Sequence, residues 1–254
     1  MKDVKLLLDL ALQASQAASQ EILSVYNSND FQTELKGDNS PLTLADKKAH
    51  QAIVQILQSS NLPILSEEGK SIPYEERKNW STFWMVDPLD GTKEFIKRNG
   101  EFTVNIALIQ NNKPLMGVVS VPVTGEIYYG GEGLGAFLQL NGKTTELPPR
   151  KTIDLNRSGL RIVASRSHMN DDTQQFIDSL KNPSLVSSGS SLKFMLLVSD
   201  KADVYPRFAP TMEWDTAAAH AVVNAVGLKV FQHNSPTELM YNKEDLLNPF
   251  FLCK

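Results

Sequence analysis

A chain of 254 residues with 41% hydrophobic content can bury a sizeable core, either as one large domain or as two small ones sharing a cleft. A formal charge of −4 with dispersed basic residues excludes the basic face that polymeric nucleic acid binding needs, so a small anionic ligand would be held by metal ions and a few placed cations. The single cysteine, Cys253, excludes an internal disulfide and a cysteine-ligated zinc cluster, and points to a reducing, cytoplasmic compartment.

The first 26 residues carry apolar side chains at helical spacing (Val4, Leu7, Leu8, Leu10, Leu12), which predicts a helix whose leucine stripe packs on the core and which ends in the polar stretch Asn27 to Asp30. Asp3, Asp9 and several glutamines interrupt the segment, so it lacks the apolar core of a signal peptide. No run is long enough to span a bilayer, which leaves peripheral attachment to the inner face of the cell membrane open. After an extended Thr33 to Lys36 and a loop at Gly37 to Pro41, a second helix is expected over Thr43 to Gln58, with Thr43 and Asp46 approximating a capping box. From Thr82 to Leu140 the pattern turns to short β-rich runs at Phe83 to Val86, Phe102 to Ile109, Leu115 to Val121, Glu126 to Tyr129 and Gly135 to Leu140, as a mostly antiparallel sheet requires. The glycines of Gly130 to Gly135 sit between two of these strands with no helix following, so they mark a hairpin rather than a dinucleotide-binding loop.

Leu147-Pro148-Pro149-Arg150-Lys151 is the one plausible boundary, dividing the chain into 1–147 and 148–254. Beyond it, strands at Arg161 to Ser165, Ser184 to Ser187 and Ala202 to Tyr205 alternate with helices at Asp172 to Lys181, Leu192 to Ser199 and Glu213 to Val226. That alternation favours a parallel or mixed sheet covered on its faces. The class is therefore mixed α/β, two layers of sheet with helices outside and between, and the site is expected where the halves meet.

The most informative stretch is Trp84-Met85-Val86-Asp87-Pro88-Leu89-Asp90-Gly91-Thr92. In it an apolar run is expected to stop at Pro88, with Asp87 and Asp90 facing one small volume and Gly91-Thr92 re-entering as a helix. Read alone, these residues fit an Asp-Pro turn and a helix cap equally well. Two further acidic clusters, Ser66-Glu67-Glu68 after Pro63-Ile64-Leu65 and Glu213-Trp214-Asp215 at the start of an alanine-rich helix, suggest convergence on one site. Carboxylate oxygens select hard cations such as Mg²⁺ and Mn²⁺, which bind through one or two protein carboxylates plus substrate phosphates, so a phosphate ester is the natural substrate class.

The order Glu67-Glu68, then Asp87-Pro88-Leu89-Asp90-Gly91-Thr92, then Trp214-Asp215 resembles the inositol monophosphatase superfamily of metal-dependent, lithium-sensitive phosphatases. Asp90 to Phe95, Gly189-Ser190-Ser191-Leu192-Lys193-Phe194, Asp203 to Phe208 and Pro210 to Ala218 are similar to its CysQ-type 3′(2′),5′-bisphosphate nucleotidases. The resemblance covers nearly the whole chain. It implies an α-β-α-β-α sandwich and hydrolysis of adenosine 3′,5′-bisphosphate to AMP and phosphate, with the sulfonated relative of that nucleotide as a second substrate. It also implies two or three Mg²⁺ per site, for which Mn²⁺ can substitute. Carried over residue by residue, Glu67, Asp87 and the Leu89 carbonyl fall on one metal and Asp87, Asp90 and Asp215 on a second. Thr92, aided by Glu67 or Asp46, orients the attacking water. Backbone N–H groups of Gly91 and Thr92 suit phosphate oxygens, and Ser190, Lys193 and Arg207 lie near the nucleotide.

Several positions keep a plainer reading. Asp46 can be only a capping residue, Asp215 can simply complement the helix dipole, Glu68 belongs to the periphery of the site or to the surface, and His168 is either a partner of adenine or a solvated loop histidine. Two departures from the CysQ-type pattern, Ala209 and Ala219-His220, lie beside the binding segments and are expected to reshape the sugar pocket. The rivals to a nucleotidase are an inositol or broad sugar phosphatase with the same metal cage, against which Lys93-Glu94-Phe95 speaks, and a noncatalytic nucleotide or metal sensor. Monomer and homodimer both remain open.

Overall fold

The computed structural model describes residues 4–28, 33–35, 41–164 and 169–254. Helix α1 (Val4–Ser28) is followed by a two-residue antiparallel pair, β1 (Glu34–Leu35) and β2 (Pro41–Leu42), and by α2 (Leu44–Leu57). Then come β3 (Ile64–Ser66), α3 (Tyr74–Arg77), β4 (Thr82–Asp90), α4 (Thr92–Ile96), β5 (Thr103–Gln110), β6 (Lys113–Val121), β7 (Glu126–Gly131), β8 (Gly135–Leu140) and β9 (Lys143–Glu146). After Leu147 follow β10 (Arg161–Ala164), α5 (Asp171–Asp178), β11 (Ser184–Ser187), α6 (Leu192–Val198), β12 (Tyr205–Arg207), α7 (Glu213–Ala225), β13 (Val230–Gln232) and β14 (Phe251–Cys253).

Strands β3 to β9 form one seven-stranded sheet in sequence order, antiparallel except for the β3–β4 pair. Its central strands are apolar throughout because both faces are covered. Trp84, Val86, Val104, Ile106 and Leu108 pack toward α1 and α2, while the alternate residues Phe83, Met85, Ala107 and Ile109 pack toward α6 and α7. On the far side of α6 and α7 lies a smaller mixed sheet. In it β10 pairs parallel with β11, touches Val204 by a single bridge, and so joins the antiparallel trio β12-β14-β13. Helix α5 covers its outer face through Ile177, against Leu160, Ile162 and Val204. The order of layers is α1/α2, large sheet, α6/α7, small sheet, α5, the expected five-layer sandwich. No described helix is long and apolar enough to cross a membrane.

Two expectations change in detail. The core-facing row of α1 is Leu7, Ala11, Ala14, Ala18, Ile22 and Val25, and of the leucine stripe only Leu7 is buried; the alanines of this row and Ala45 and Ala49 of α2 suit a close approach of the two helices. The strand expected at Ala202 to Tyr205 begins at Tyr205, since Asp203 turns its carboxylate to the backbone N–H and guanidinium of Arg161. Strands β9, β13 and β14 carry no apolar alternation long enough to be noticed.

Helix α7 lies against the large sheet at backbone contact. A Cβ added to Gly117 of β6 would fall 2.1 Å from the Ala218 carbonyl oxygen, and one on Gly130 of β7 would crowd the Ala225 side chain at 3.2 Å. Gly117→Ala must therefore push α7 away from β6. It should destabilise the fold by about 3 kcal/mol, toward the upper end for overpacking, lowering the melting temperature by roughly 6–12 °C for a chain of this size. A thermal melt checks this, and an unchanged midpoint would show that α7 is not seated as described.

Candidate active site

Strand pairing brings the first two acidic clusters together. Strands β3 and β4 run parallel with Ser66 opposite Val86, so Glu67 and Asp87, the next residue on each strand, emerge side by side, and the Glu67 N–H donates to the Val86 carbonyl at 3.1 Å. The ladder does not stop at Pro88, as the sequence suggested. Asp87 pairs with Asn105 and Asp90 with Thr103, so the bulge holds one extra residue in β4. Proline, with no N–H to give, is tolerated at such a bulge. The extra residue also sets the chemistry. Residues three apart on a regular strand point to opposite faces, whereas here Asp87 and Asp90 lie opposite Asn105 and Thr103, which share a face. The Asp87 carboxylate also accepts the Leu89 N–H at 3.0 Å.

Asp215 arrives from the first turn of α7, where its Oδ2 accepts the Met212 N–H at 2.8 Å. One carboxylate oxygen each from Glu67, Asp87 and Asp215 lie within 4.8 Å of one another. Asp90 stands beside them, its Oδ2 accepting the Ser191 N–H at 2.6 Å with Thr103 and Asn105 at 3.5 Å. Burial, then repulsion from Glu67, Asp90 and Asp215, pushes the Asp87 carboxyl well above the usual range. Asp215 is raised well above it by burial and by Asp90, against the Met212 N–H. Asp90 is pushed up to about 6 by burial, with Lys193 and the Ser191 N–H pulling the other way. Mutually repelling, buried, oxygen-only ligands are the donor set that a hard divalent cation fits.

Around this cluster, Asp46 caps α2 and also touches Thr92. Its Oδ2 accepts the Thr43 N–H at 2.8 Å and the Thr43 hydroxyl at 2.6 Å as a capping residue, and its Oδ1 accepts the Thr92 hydroxyl at 3.2 Å. Thr92 opens α4 directly after Gly91, whose φ of +95° is a glycine conformation. Its hydroxyl also lies 3.4 Å from the Leu89 carbonyl.

A cavity of about 310 Å³ is lined by Asp90, Gly91 and Asp215 together with Ser190, Lys193 and Arg207. Ser190 holds a left-handed φ of +42°, an uncommon conformation for a serine, and this turn aims the Ser191 N–H at Asp90 while the Ser190 carbonyl accepts Lys193 Nζ at 2.8 Å. The turn can approach α4 so closely because residue 189 is glycine, where a Cβ would meet the Glu101 carbonyl at 2.6 Å. Burial pulls the Lys193 ammonium down to about 8, although Asp90 works against that. Arg207 donates through Nη2 to the Pro210 carbonyl at 3.0 Å, while its Nε is buried and has no hydrogen-bond partner among the described residues. Tyr205, Phe194 and Phe251 pack edge-on or stacked beneath Lys193 and form an apolar wall.

His168 lies outside the described residues. Neither Ala209 nor Ala219-His220 lines the cavity, contrary to expectation: the His220 ring is buried against Tyr241 and Glu238. Sequence reasoning missed Thr103, Asn105 and Ser191, which hold Asp90. The signal was present, since Thr103 and Asn105 are the polar alternates at the start of the otherwise apolar β5.

The inositol monophosphatase family model matches residues 3–249, and the chain belongs to that family. It is 42% identical over 248 residues to the 3′(2′),5′-bisphosphate nucleotidase CysQ of Salmonella typhimurium, covering 96% of this chain and 98% of that protein. The crystal structure of CysQ from Bacteroides thetaiotaomicron superposes with a TM-score of 0.86 at 49% identity, covering 96% of this chain and 95% of that one. A staphylococcal inositol monophosphatase soaked in lithium chloride shares the fold, with a TM-score of 0.81 at 19% identity, covering 100% of this chain and 91% of that one.

Proposed function

We propose that the protein is a Mg²⁺-dependent 3′(2′),5′-bisphosphate nucleotidase that hydrolyses adenosine 3′,5′-bisphosphate to AMP and phosphate, and the sulfonated nucleotide as a second substrate. The observation that carries this reading is one cavity lined both by carboxylates, Asp90 and Asp215, and by the cations Lys193 and Arg207. A substrate with two phosphates fits that lining: the scissile phosphate goes to the carboxylates that would hold metal and the second one to the cations. The relatives named bisphosphate nucleotidases support the same substrate class.

In this reading Glu67, Asp87, the Leu89 carbonyl, Asp90 and Asp215 hold the metal ions. Bound divalent cations neutralise the phosphoryl oxygens, lower the pKa of water and stabilise the departing alkoxide. Thr92, backed by Asp46, accepts a hydrogen bond from the attacking water and orients it in line, while the Gly91 and Thr92 N–H groups donate to phosphate oxygens. Asp46, Glu67 and Thr92 thus serve the reacting atoms, and Ser190, Lys193 and Arg207 select the nucleotide. Residues 1–147 supply most metal ligands, while residues 148–254 supply Asp215 and the selecting groups. A cytoplasmic enzyme agrees with the lone, buried Cys253.

Phosphate release from adenosine 3′,5′-bisphosphate should cease in excess chelator, return with Mg²⁺ or Mn²⁺, and fall when lithium is added. Release that persists in chelator would overturn the metal-dependent reading.

A further inference from the structure

Behind the carboxylate cluster runs a chain of buried polar side chains to which the proposed function gives no role. His220, on the second turn of α7, has Nε2 3.0 Å from Glu238 Oε2 and Nδ1 2.9 Å from the Tyr241 hydroxyl. Glu238 is in turn paired with Lys229 at 3.0 Å. A carboxylate can only accept, so Nε2 carries the proton and Nδ1 accepts from the Tyr241 O–H. Burial keeps the imidazole neutral by pulling its pKa below the ordinary value. With that proton given to His220 the Tyr241 oxygen accepts, and the Thr216 hydroxyl 3.3 Å away shares its one proton between Tyr241 and the Glu213 carbonyl at 3.1 Å while receiving Asn248 Nδ2 at 3.1 Å. Thr216 follows Asp215 in the chain and lines the same cavity.

We infer that His220 and Tyr241 are positioning residues that fix the rotation of α7, through Thr216, and so set where the Asp215 carboxylate points. The need for such a device follows from how α7 is seated. Where it crosses β6 and β7 it rests on the large sheet through alanines over glycines, Ala218 on Gly117 and Ala225 on Gly130, positions at which small residues alone give little resistance to rotation. Directional bonds from residues 241–248 supply that resistance. Besides the Tyr241 contact, the Glu213 carboxylate accepts the N–H groups of Asn242 and Lys243, and Asn248 Nδ2 donates to the Met212 carbonyl at 2.7 Å. At the end of this strap, His220 holds the Tyr241 hydroxyl in register. Glutamine is the conservative replacement, because its amide can donate to Glu238 and accept from Tyr241.

The inference rests on the proposed reading of Asp215 as a metal ligand, so the test is direct Mn²⁺ binding, measured by electron paramagnetic resonance on the purified full chain without substrate. Tyr241→Phe, which keeps the buried ring and removes only the hydroxyl, should weaken Mn²⁺ binding about tenfold, at the lower end of what loss of a ligand's hydrogen-bonded support costs. His220→Leu should weaken it comparably, His220→Gln should bind like the wild type, and Asp215→Asn marks the loss of the ligand itself. If Tyr241→Phe melts lower yet binds Mn²⁺ like the wild type, the chain only stabilises the fold and the inference is overturned. If the wild type binds no Mn²⁺, the metal reading fails first. Should His220→Leu not fold, Tyr241→Phe and His220→Gln decide the matter.

Discussion

Asp87→Asn should abolish turnover and at the same time yield a metal-free protein that melts at a higher temperature than the wild type. Asp87 is buried against Glu67, Asp90 and Asp215, which disfavours its charged form, and in the proposed reading a cation offsets that charge. The amide keeps the oxygen that accepts the Leu89 N–H and removes the charge. Loss of a shared ligand should cost several kcal/mol of transition-state stabilisation, roughly 10³-fold or more in kcat. Relief of repulsion should raise the metal-free melting temperature by about 2–4 °C for each kcal/mol gained. The sign of the pH dependence follows from the raised carboxyls. Folding holds protons on Asp87, Asp90 and Asp215 that the unfolded chain releases near pH 4, so their penalty is absent in acid and grows as pH rises through the folded values, about 6 for Asp90. The advantage of the variant should therefore shrink toward pH 4, and added Mg²⁺ should stabilise the wild type more than the variant. Thermal melts with and without metal, beside a phosphate-release assay, check all three. A variant that keeps most of its turnover, or melts below the wild type without metal, would contradict the site.

The second large effect concerns substrate choice. Lys193→Ala combined with Arg207→Ala should lower kcat/KM for the bisphosphate nucleotide by roughly 10²- to 10⁴-fold, since each charge-assisted contact is worth about 1.5–3 kcal/mol and both act on the second phosphate. A simple aryl phosphate has no second phosphate, so its hydrolysis should change only a few-fold, through the loss of Lys193 from beside Asp90. Because the Lys193 ammonium is pulled down to about 8, its charge is present below that pH and lost above it. The wild-type preference for the nucleotide, measured as kcat/KM in the free enzyme, should then decline as pH rises past about 8, and the double variant should show no such decline. Equal losses on both substrates would remove these residues from any role in selection.

The parts of this molecule that could be read from the sequence are those whose physics is local. The capping pair Thr43 and Asp46, the antiparallel runs from Thr82 to Leu140, the glycine hairpin and the alanine-rich helix after Glu213 all follow from spacing and turn chemistry within a few residues. The three acidic clusters were visible too, because carboxylates directly after apolar runs are unusual unless something neutral or positive awaits them.

What could not be read depends on register between distant strands. The bulge at Pro88-Leu89 is defined by the partner residues Asn105 and Thr103, and it is the bulge, rather than an end of the strand, that turns Asp87 and Asp90 to one face. Ser191 reaches Asp90 across 101 residues of sequence, through its backbone N–H, an atom that every non-proline residue carries. His220 shows the opposite failure: its sequence neighbours are site residues, yet its place on α7 turns it away from the cavity and onto Tyr241 and Glu238. Neighbourhood along the chain misled there because successive helical residues point about 100° apart.

The most direct test of the account is phosphate release from adenosine 3′,5′-bisphosphate and from inositol 1-phosphate at equal concentration, each with Mg²⁺ and with chelator. The presence of Lys193 and Arg207 in the same cavity as the carboxylates predicts strong, metal-dependent preference for the nucleotide. Preference for the inositol ester would leave the metal cluster standing and contradict the assignment of Lys193 and Arg207 to a second phosphate.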